Sequence, residues 1–207
     1  MPKSSDPESG GSNTVALDSH ALGTLQYIRA SIDAAGLLAV PGSAGIAMGA
    51  VGLCAALLVS LPSLTRHWFG IWLVAGGFAF VCGSALMIHQ ARSRVTPVYR
   101  GPLRKFLMCL SPPLCVGAIL TWQLWQHSLM GMVPGVWLLL YGCGAMAAST
   151  MTIKPLAAMG ALFIALGMLG LVAPADYHNA VLGLGFGGVH VAFGILIGGR
   201  QQSGQME

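Results

Sequence analysis

Charge is scarce in this sequence. Lys and Arg number ten and Asp and Glu six among 207 residues, so 8% of the chain is charged; a soluble globular domain carries about 25%. So few charges cannot cover a water-facing surface of this length. That excludes a soluble globular protein, a disordered chain and a nucleic-acid-binding module. Asp, Glu, Lys and Arg are also missing from the interior of every long apolar run, whereas proton-coupled pumps and many ion-coupled carriers place carboxylates at mid-membrane. Neither a GxSxG serine turn nor an HExxH metal motif occurs. Cys54, Cys82, Cys109, Cys115 and Cys143 all lie within apolar runs and form no CxxC pair. They read as small buried hydrophobes, not as a disulfide framework or a zinc site.

What is present is apolar. Hydrophobic residues make up 55% of the chain, 29 residues are glycine, and mean hydropathy is +0.74. Glycine is more frequent in membrane helices than in soluble ones. Six apolar runs fall at 43–62, 69–90, 106–125, 132–151, 155–173 and 179–199. Each is close to the roughly 20 residues that cross about 30 Å of hydrocarbon at 1.5 Å per residue. The expected fold is therefore all-α: a polytopic membrane helical bundle of six transmembrane helices occupying 43–199. Residues 1–18, rich in Ser, Pro and Gly, are expected to be a disordered cytoplasmic tail. They lack the basic-then-apolar pattern of a signal peptide, so the first span is expected to serve as the insertion signal. In 19–38, Leu22, Leu25, Ile28 and Ile32 fall on one helical face. This segment reads as an amphipathic helix in the membrane interface or, alternatively, as a packing helix for a soluble partner. Residues 200–207 form a short cytoplasmic tail.

Orientation follows from the basic residues. With the N-terminus inside, the inner segments hold Lys3, Arg29, Arg92, Arg94, Arg100, Arg104, Lys105, Lys154 and Arg200, and the outer segments hold Arg66 alone. This is the positive-inside bias. Trp68, Trp72, Trp122, Trp125 and Trp137 then all lie toward the outer interface, as an aromatic belt would. Two independent residue sets therefore give N-in and C-in. Val40-Pro41-Gly42 before the first span is echoed by Val133-Pro134-Gly135 at the fourth, a slight signature of two inverted halves.

His190, in GFGGVHVAFG, is the ionisable residue placed deepest in a span. An intramembrane ionisable group is a functional-site candidate: it is suited to binding a solute or lipid, ligating haem or a metal, or satisfying a neighbouring helix. His89 sits about 10 Å away in depth by helical rise, which disfavours a bis-histidine haem. Pro112 and Pro113 interrupt the third span and should kink it, with the freed carbonyls facing protein or water. Ser84, Ser111, Ser149, Thr150 and His190 map to the inner halves of their spans. Together with Pro112 and Pro113 they suggest a modest polar pocket open toward the cytoplasm, bounded by spans 2, 3, 4 and 6. Tyr141, Thr121 and Gln123 are the polar residues of the outer halves. Gly183, Gly185 and Gly188 match GxGxxG but follow no strand, so a dinucleotide site is not implied. Gly183 with Gly187, and Gly45 with Gly49, instead suggest close packing of the first and sixth spans or a homodimer. Arg92, Arg94, Arg100, Arg104 and Lys105 form a cytoplasmic contact for anionic lipid or a partner.

Several stretches together resemble a known group: YIRASIDAA followed by AVPGSAG, then GPLRKF, SPPL and GAILTW, then VPGVWLLLYG and LGFGGVHVAFGILIGGR. They are similar to a family of small six-span bacterial inner-membrane proteins whose members are often encoded beside winged-helix regulators. The resemblance covers most of the chain after residue 20. It implies a sensing or signalling context and assigns no catalytic residues. The ending GGRQQSGQME is less basic than in those relatives, so a basic C-terminal docking site is not implied. The resulting expectation is a non-enzymatic ligand- or lipid-binding, sensor or accessory subunit of a bacterial inner membrane. It needs no cofactor, and its partners are the bilayer, a second copy through the glycine-rich helices, or a cytoplasmic or membrane protein. The alternatives are a small-solute transporter or channel, and a haem-binding electron-transfer subunit using His190.

Overall fold

The computed structural model of the chain describes residues 22–27, 41–93, 100–150 and 154–203. Residues 22–27 are helical, with Leu22, Leu25 and Tyr27 exposed. The rest of the 19–38 segment and residues 1–18, 94–99 and 204–207 lie outside the described residues.

Six helices long and apolar enough to cross a membrane follow, as the run lengths predict. They are α1 (Gly42–Ser60), α2 (Trp68–Ser93), α3 (Arg100–Gln126), α4 (Val133–Ser149), α5 (Lys154–Val172) and a composite sixth span. The sixth span runs without interruption from α6 (His178–Leu182) through a π-helical segment (Gly183–Val189) into α7 (His190–Ser203). It extends four residues past the expected end at 199. The connections after α1, α3 and α5 are short, carry 3₁₀ turns and make the helices they join antiparallel. No strand occurs among the described residues.

Two helices organise the bundle. α1 packs between α2 and the sixth span, and α4 packs between α3 and α5. Exchanging the first three spans for the last three maps one set of neighbours onto the other, which matches the Val-Pro-Gly echo. Pro41 and Pro134, the prolines of that echo, are both fully buried at helix N-termini. There a missing N–H costs nothing, because the first turn has no partner for it.

Glycine sets how closely these helices approach. A Cβ on Gly49 would lie 2.8 Å from the Gly187 carbonyl oxygen and 2.6 Å from a Val191 methyl; one on Gly45 would lie 3.0 Å from the Gly194 Cα. Of the two readings of these glycines, close packing of the first and sixth spans is realised within the chain. α4 and α5 meet through a second seam, which the sequence reading did not anticipate. A Cβ on Gly142 would lie 2.7 Å from the Gly160 carbonyl oxygen, and one on Gly160 2.8 Å from that of Gly142. In lipid the association of helices rests on such close van der Waals packing.

The core gathers Leu138, Phe163, Ala145, Met159, Leu182 and Ile197, with Leu138 and Phe163 fully enclosed. Burial is uneven. Half of the sixth span is buried (50%), against 11% of α2 and of α3. These two peripheral helices barely touch each other, and the space between them shapes the site.

α3 runs through Pro112 and Pro113 as one helix. Ser111 and Pro112 are exposed, and Pro113 is half-buried with its ring close to Gly144. Pro112 thus points outward, whereas Pro113 packs against α4. Gly144 explains the fit of Pro113, because it leaves room for the pyrrolidine ring between α3 and α4.

Candidate functional site

The site begins with the sixth span. Gly183, Gly185, Gly187 and Gly188 give this stretch a backbone without side-chain bulk, and here the helix widens to π geometry over seven residues. Wide turns of this kind inside helices frequently mark functional sites. His190 follows directly, 2% exposed. Its Nε2 is 2.7 Å from the Tyr141 hydroxyl of α4, a hydrogen bond whose direction depends on the imidazole tautomer. Its Nδ1 is buried with no hydrogen-bond partner. The carbonyls of Gly185 and Phe186, about one turn back, face the ring without meeting bonding geometry.

Aromatic rings enclose the pair. The imidazole stacks on Phe186 at 6.1 Å and 21°, and meets Phe163 edge-on at 5.2 Å. The Tyr141 ring lies 4.8 Å from Phe163 and 5.4 Å from Phe186. Offset and edge-to-face contacts at these distances suit aromatic quadrupoles. Trp72 extends the cluster through Phe186 at 6.4 Å.

This cluster closes the deep end of a cavity of about 380 Å³. Its walls come from α1, α2, α3, α4 and the sixth span; Trp68, Trp72, Phe80, Leu114, Trp137 and Tyr141 are representative. From Trp68 to Phe80 the lining runs about 18 Å along α2 at helical rise. Among the described residues, no Asp, Glu, Lys or Arg lines it. Gly76 and Gly77 lie on its α2 side, and a Cβ there would meet nothing within 4 Å. A smaller chamber of about 60 Å³ lies on the other side of the Tyr141–His190 pair, lined by Met48, Ser84, Met87 and Met159 among others.

Polar groups hold the rim. Trp72 Nε1 donates to Asn179 Oδ1 at 3.1 Å, and Asn179 Nδ2 donates to the Ala56 carbonyl at 2.9 Å and to Ser60 Oγ at 3.1 Å. One side chain thereby ties α1, α2 and α6. Opposite, Trp137 Nε1 donates to Thr121 Oγ1 at 2.9 Å, and that hydroxyl donates to the Gly117 carbonyl at 2.7 Å. The five tryptophans divide accordingly. Trp122 and Trp125 are exposed as a belt would be, whereas Trp68, Trp72 and Trp137 turn inward and line the cavity.

The polar residues grouped by depth are not gathered in one place. Ser84 and His190 share the small chamber. Ser149 and Thr150 donate to their own helix, to the Met146 carbonyl at 2.6 Å and the Ala147 carbonyl at 2.7 Å. Ser111, Pro112 and Pro113 line neither cavity. The reason is local: a helical hydroxyl readily bonds back to a carbonyl of the preceding turn, so its depth does not fix what it faces. The larger cavity is apolar and occupies the end where the tryptophans cluster. Of the basic set, Arg104 is exposed on α3, Arg92, Arg100 and Lys105 are helical, and Arg94 lies outside the described residues.

Tyr141, Phe163, Phe186 and Asn179 were not singled out as site residues from sequence. Spacing carried part of the signal. Trp137 and Tyr141 stand four apart, as do Phe186 and His190, which puts each pair on one helical face.

Chemically, the arrangement offers an elongated apolar slot with one hydrogen-bonding pair at its end. Iron ligation through His190 Nε2 would require the Tyr141 bond to break. Comparison with known families, curated proteins and solved structures finds no match for this chain; the site's own chemistry carries the functional argument for this multi-pass membrane protein.

Proposed function

We propose that the protein is a non-enzymatic subunit of a bacterial cytoplasmic membrane that binds a neutral, lipid-like ligand between α2, α3 and the sixth span. One observation carries this reading: a cavity of about 380 Å³ with aromatic and aliphatic walls and no charged lining residue among the described residues. Ligand pockets fall in this size range and combine apolar walls with a few placed polar groups. A sensor or accessory role fits a protein whose spans hold such a slot and no intramembrane carboxylate. Both ends face the cytoplasm on the strength of the charge bias. Arg92, Arg94, Arg100, Arg104 and Lys105 then form the surface for anionic headgroups or a cytoplasmic partner.

The test is the molecule retained after mild extraction. Mass spectrometry of wild type should find a neutral amphiphile enriched over its abundance in the membrane. Gly76→Leu places bulk on the α2 side of the cavity, where nothing opposes it, and should lose that molecule while still folding. Lipid recovered from both proteins in the membrane's own proportions would overturn the reading.

A further inference from the structure

We infer that the ligand has a planar, oxygen-bearing head of the quinone or quinol class, hydrogen-bonded to the Tyr141–His190 pair, with its apolar tail lying along α2. This rests on the reading above that the cavity holds an apolar ligand. Four features lead to it.

The first is hydrogen-bond accounting. Neutral imidazole carries one N–H and one acceptor nitrogen, and the phenol carries one O–H. Their mutual bond uses one of these two hydrogens, and the other makes no second hydrogen bond within bonding geometry. If Tyr141 donates, the remaining hydrogen is on His190 Nδ1, beside the Gly185 and Phe186 carbonyls. If the imidazole takes the other tautomer and donates from Nε2, the surplus is the Tyr141 O–H, on a residue that lines the cavity. In this second tautomer the phenol is a buried donor left unpaired, which is costly, and a carbonyl oxygen in the cavity satisfies it. A ligand hydroxyl is equally served by the lone pairs of the phenol oxygen.

The second feature is exclusivity. Of the three indoles on the cavity, Trp72 and Trp137 already donate to Asn179 and Thr121, and Trp68 stands at the start of α2, about three turns from Phe80 at the other end of the lining. The pair is thus the polar point at the deep end, so one oxygen-bearing head is recognised there. The third is shape. Phe186 stacks on the imidazole, and Trp72 and Tyr141 flank Phe186, so aromatic rings wall this end of the cavity, as suits a planar head. The fourth is charge. Among the described residues the lining holds no Asp, Glu, Lys or Arg, which disfavours an ionic headgroup and leaves a neutral one.

The experiment uses the full chain in lipid nanodiscs. Trp122→Phe and Trp125→Phe remove the two lipid-facing indoles and leave the three that line the cavity. Fluorescence quenching is titrated with decyl-benzoquinone and, separately, with a brominated alkane of matching length. The quinone should bind at least about tenfold more tightly than the alkane. Tyr141→Phe removes the phenol oxygen with little change in shape. It should weaken quinone binding about tenfold, the loss of one hydrogen bond's worth, and leave the alkane unchanged. His190→Gln, included because it keeps a polar group at the buried position, should also lower the quinone preference. Gly76→Leu should weaken both probes. Saturable alkane binding with quinone affinity unchanged in Tyr141→Phe and His190→Gln would overturn the inference and leave the apolar-cavity reading standing. Quenching by either probe that is non-saturable and insensitive to Gly76→Leu would overturn the apolar-cavity reading itself.

Discussion

At the scale of single residues, the glycines fall into two kinds that composition does not separate. Gly49 and Gly142 sit where an added methyl would approach backbone to 2.8 and 2.7 Å, whereas Gly76 and Gly70 meet nothing within 4 Å. Overpacking a tight contact costs about 1–3 kcal/mol. Gly49→Ala and Gly142→Ala should therefore lower the thermal midpoint in detergent, and Gly76→Ala should leave it unchanged or slightly raised, since alanine favours helix. Equal midpoints for all three variants would show that the seams do not hold the bundle. Side-chain roles were partly legible beforehand. The depth of His190 marked it, because an imidazole inside an apolar run needs a partner. Which partner was not legible, because Tyr141 lies 49 residues away in sequence and nothing local relates the two. Ser149 and Thr150 show the converse. They were grouped by depth, yet their hydroxyls turn back onto α4, a choice made by rotamer and not by sequence.

At the scale of elements, length and apolarity place the spans well. The first helix was expected at 43–62 and forms Gly42–Ser60, and the fifth was expected at 155–173 and forms Lys154–Val172. Facing was not legible. Each span is apolar nearly all round, as membrane helices are, so periodicity does not say which side meets protein. Glycine spacing did say it for α1, where Gly45 and Gly49 predicted the contact with the sixth span. The π-helical stretch was beyond such reasoning, since its glycines read only as a packing motif. The outer end of three elements depends on Asn179. Its two donated bonds reach α1 and its carbonyl accepts from Trp72 of α2. Polar bonds between membrane helices contribute about 0.6 kcal/mol on average and at most about 1.7. Asn179→Ala should cost about 1–2 kcal/mol by that scale and shift Trp72 emission as its indole loses its acceptor. An unchanged emission maximum together with an unchanged midpoint would remove Asn179 from this role.

At the scale of the whole molecule, orientation is a matter of which charges must stay out of lipid. Arg66 is exposed in the connection between α1 and α2, and Ser203 is exposed at the end of α7. The two positions lie at opposite ends of the bundle. With both termini inside, Arg66→Cys should react with an impermeant maleimide in intact cells, and Ser203→Cys only after the membrane is opened. The reverse pattern would invert the topology and place the basic set outside. The background for this labelling is favourable, because the native Cys54, Cys115 and Cys143 are exposed along apolar spans, where an impermeant aqueous reagent does not reach.

The near absence of contact between α2 and α3 has a consequence for how the molecule must be handled. A wall missing from the polypeptide is supplied by whatever surrounds it, so the bilayer itself completes the chamber. Once the protein is solubilised, a surfactant alkyl chain takes that place and competes with any natural occupant. Chain length and concentration of the solubilising agent then become experimental variables of the same standing as the sequence.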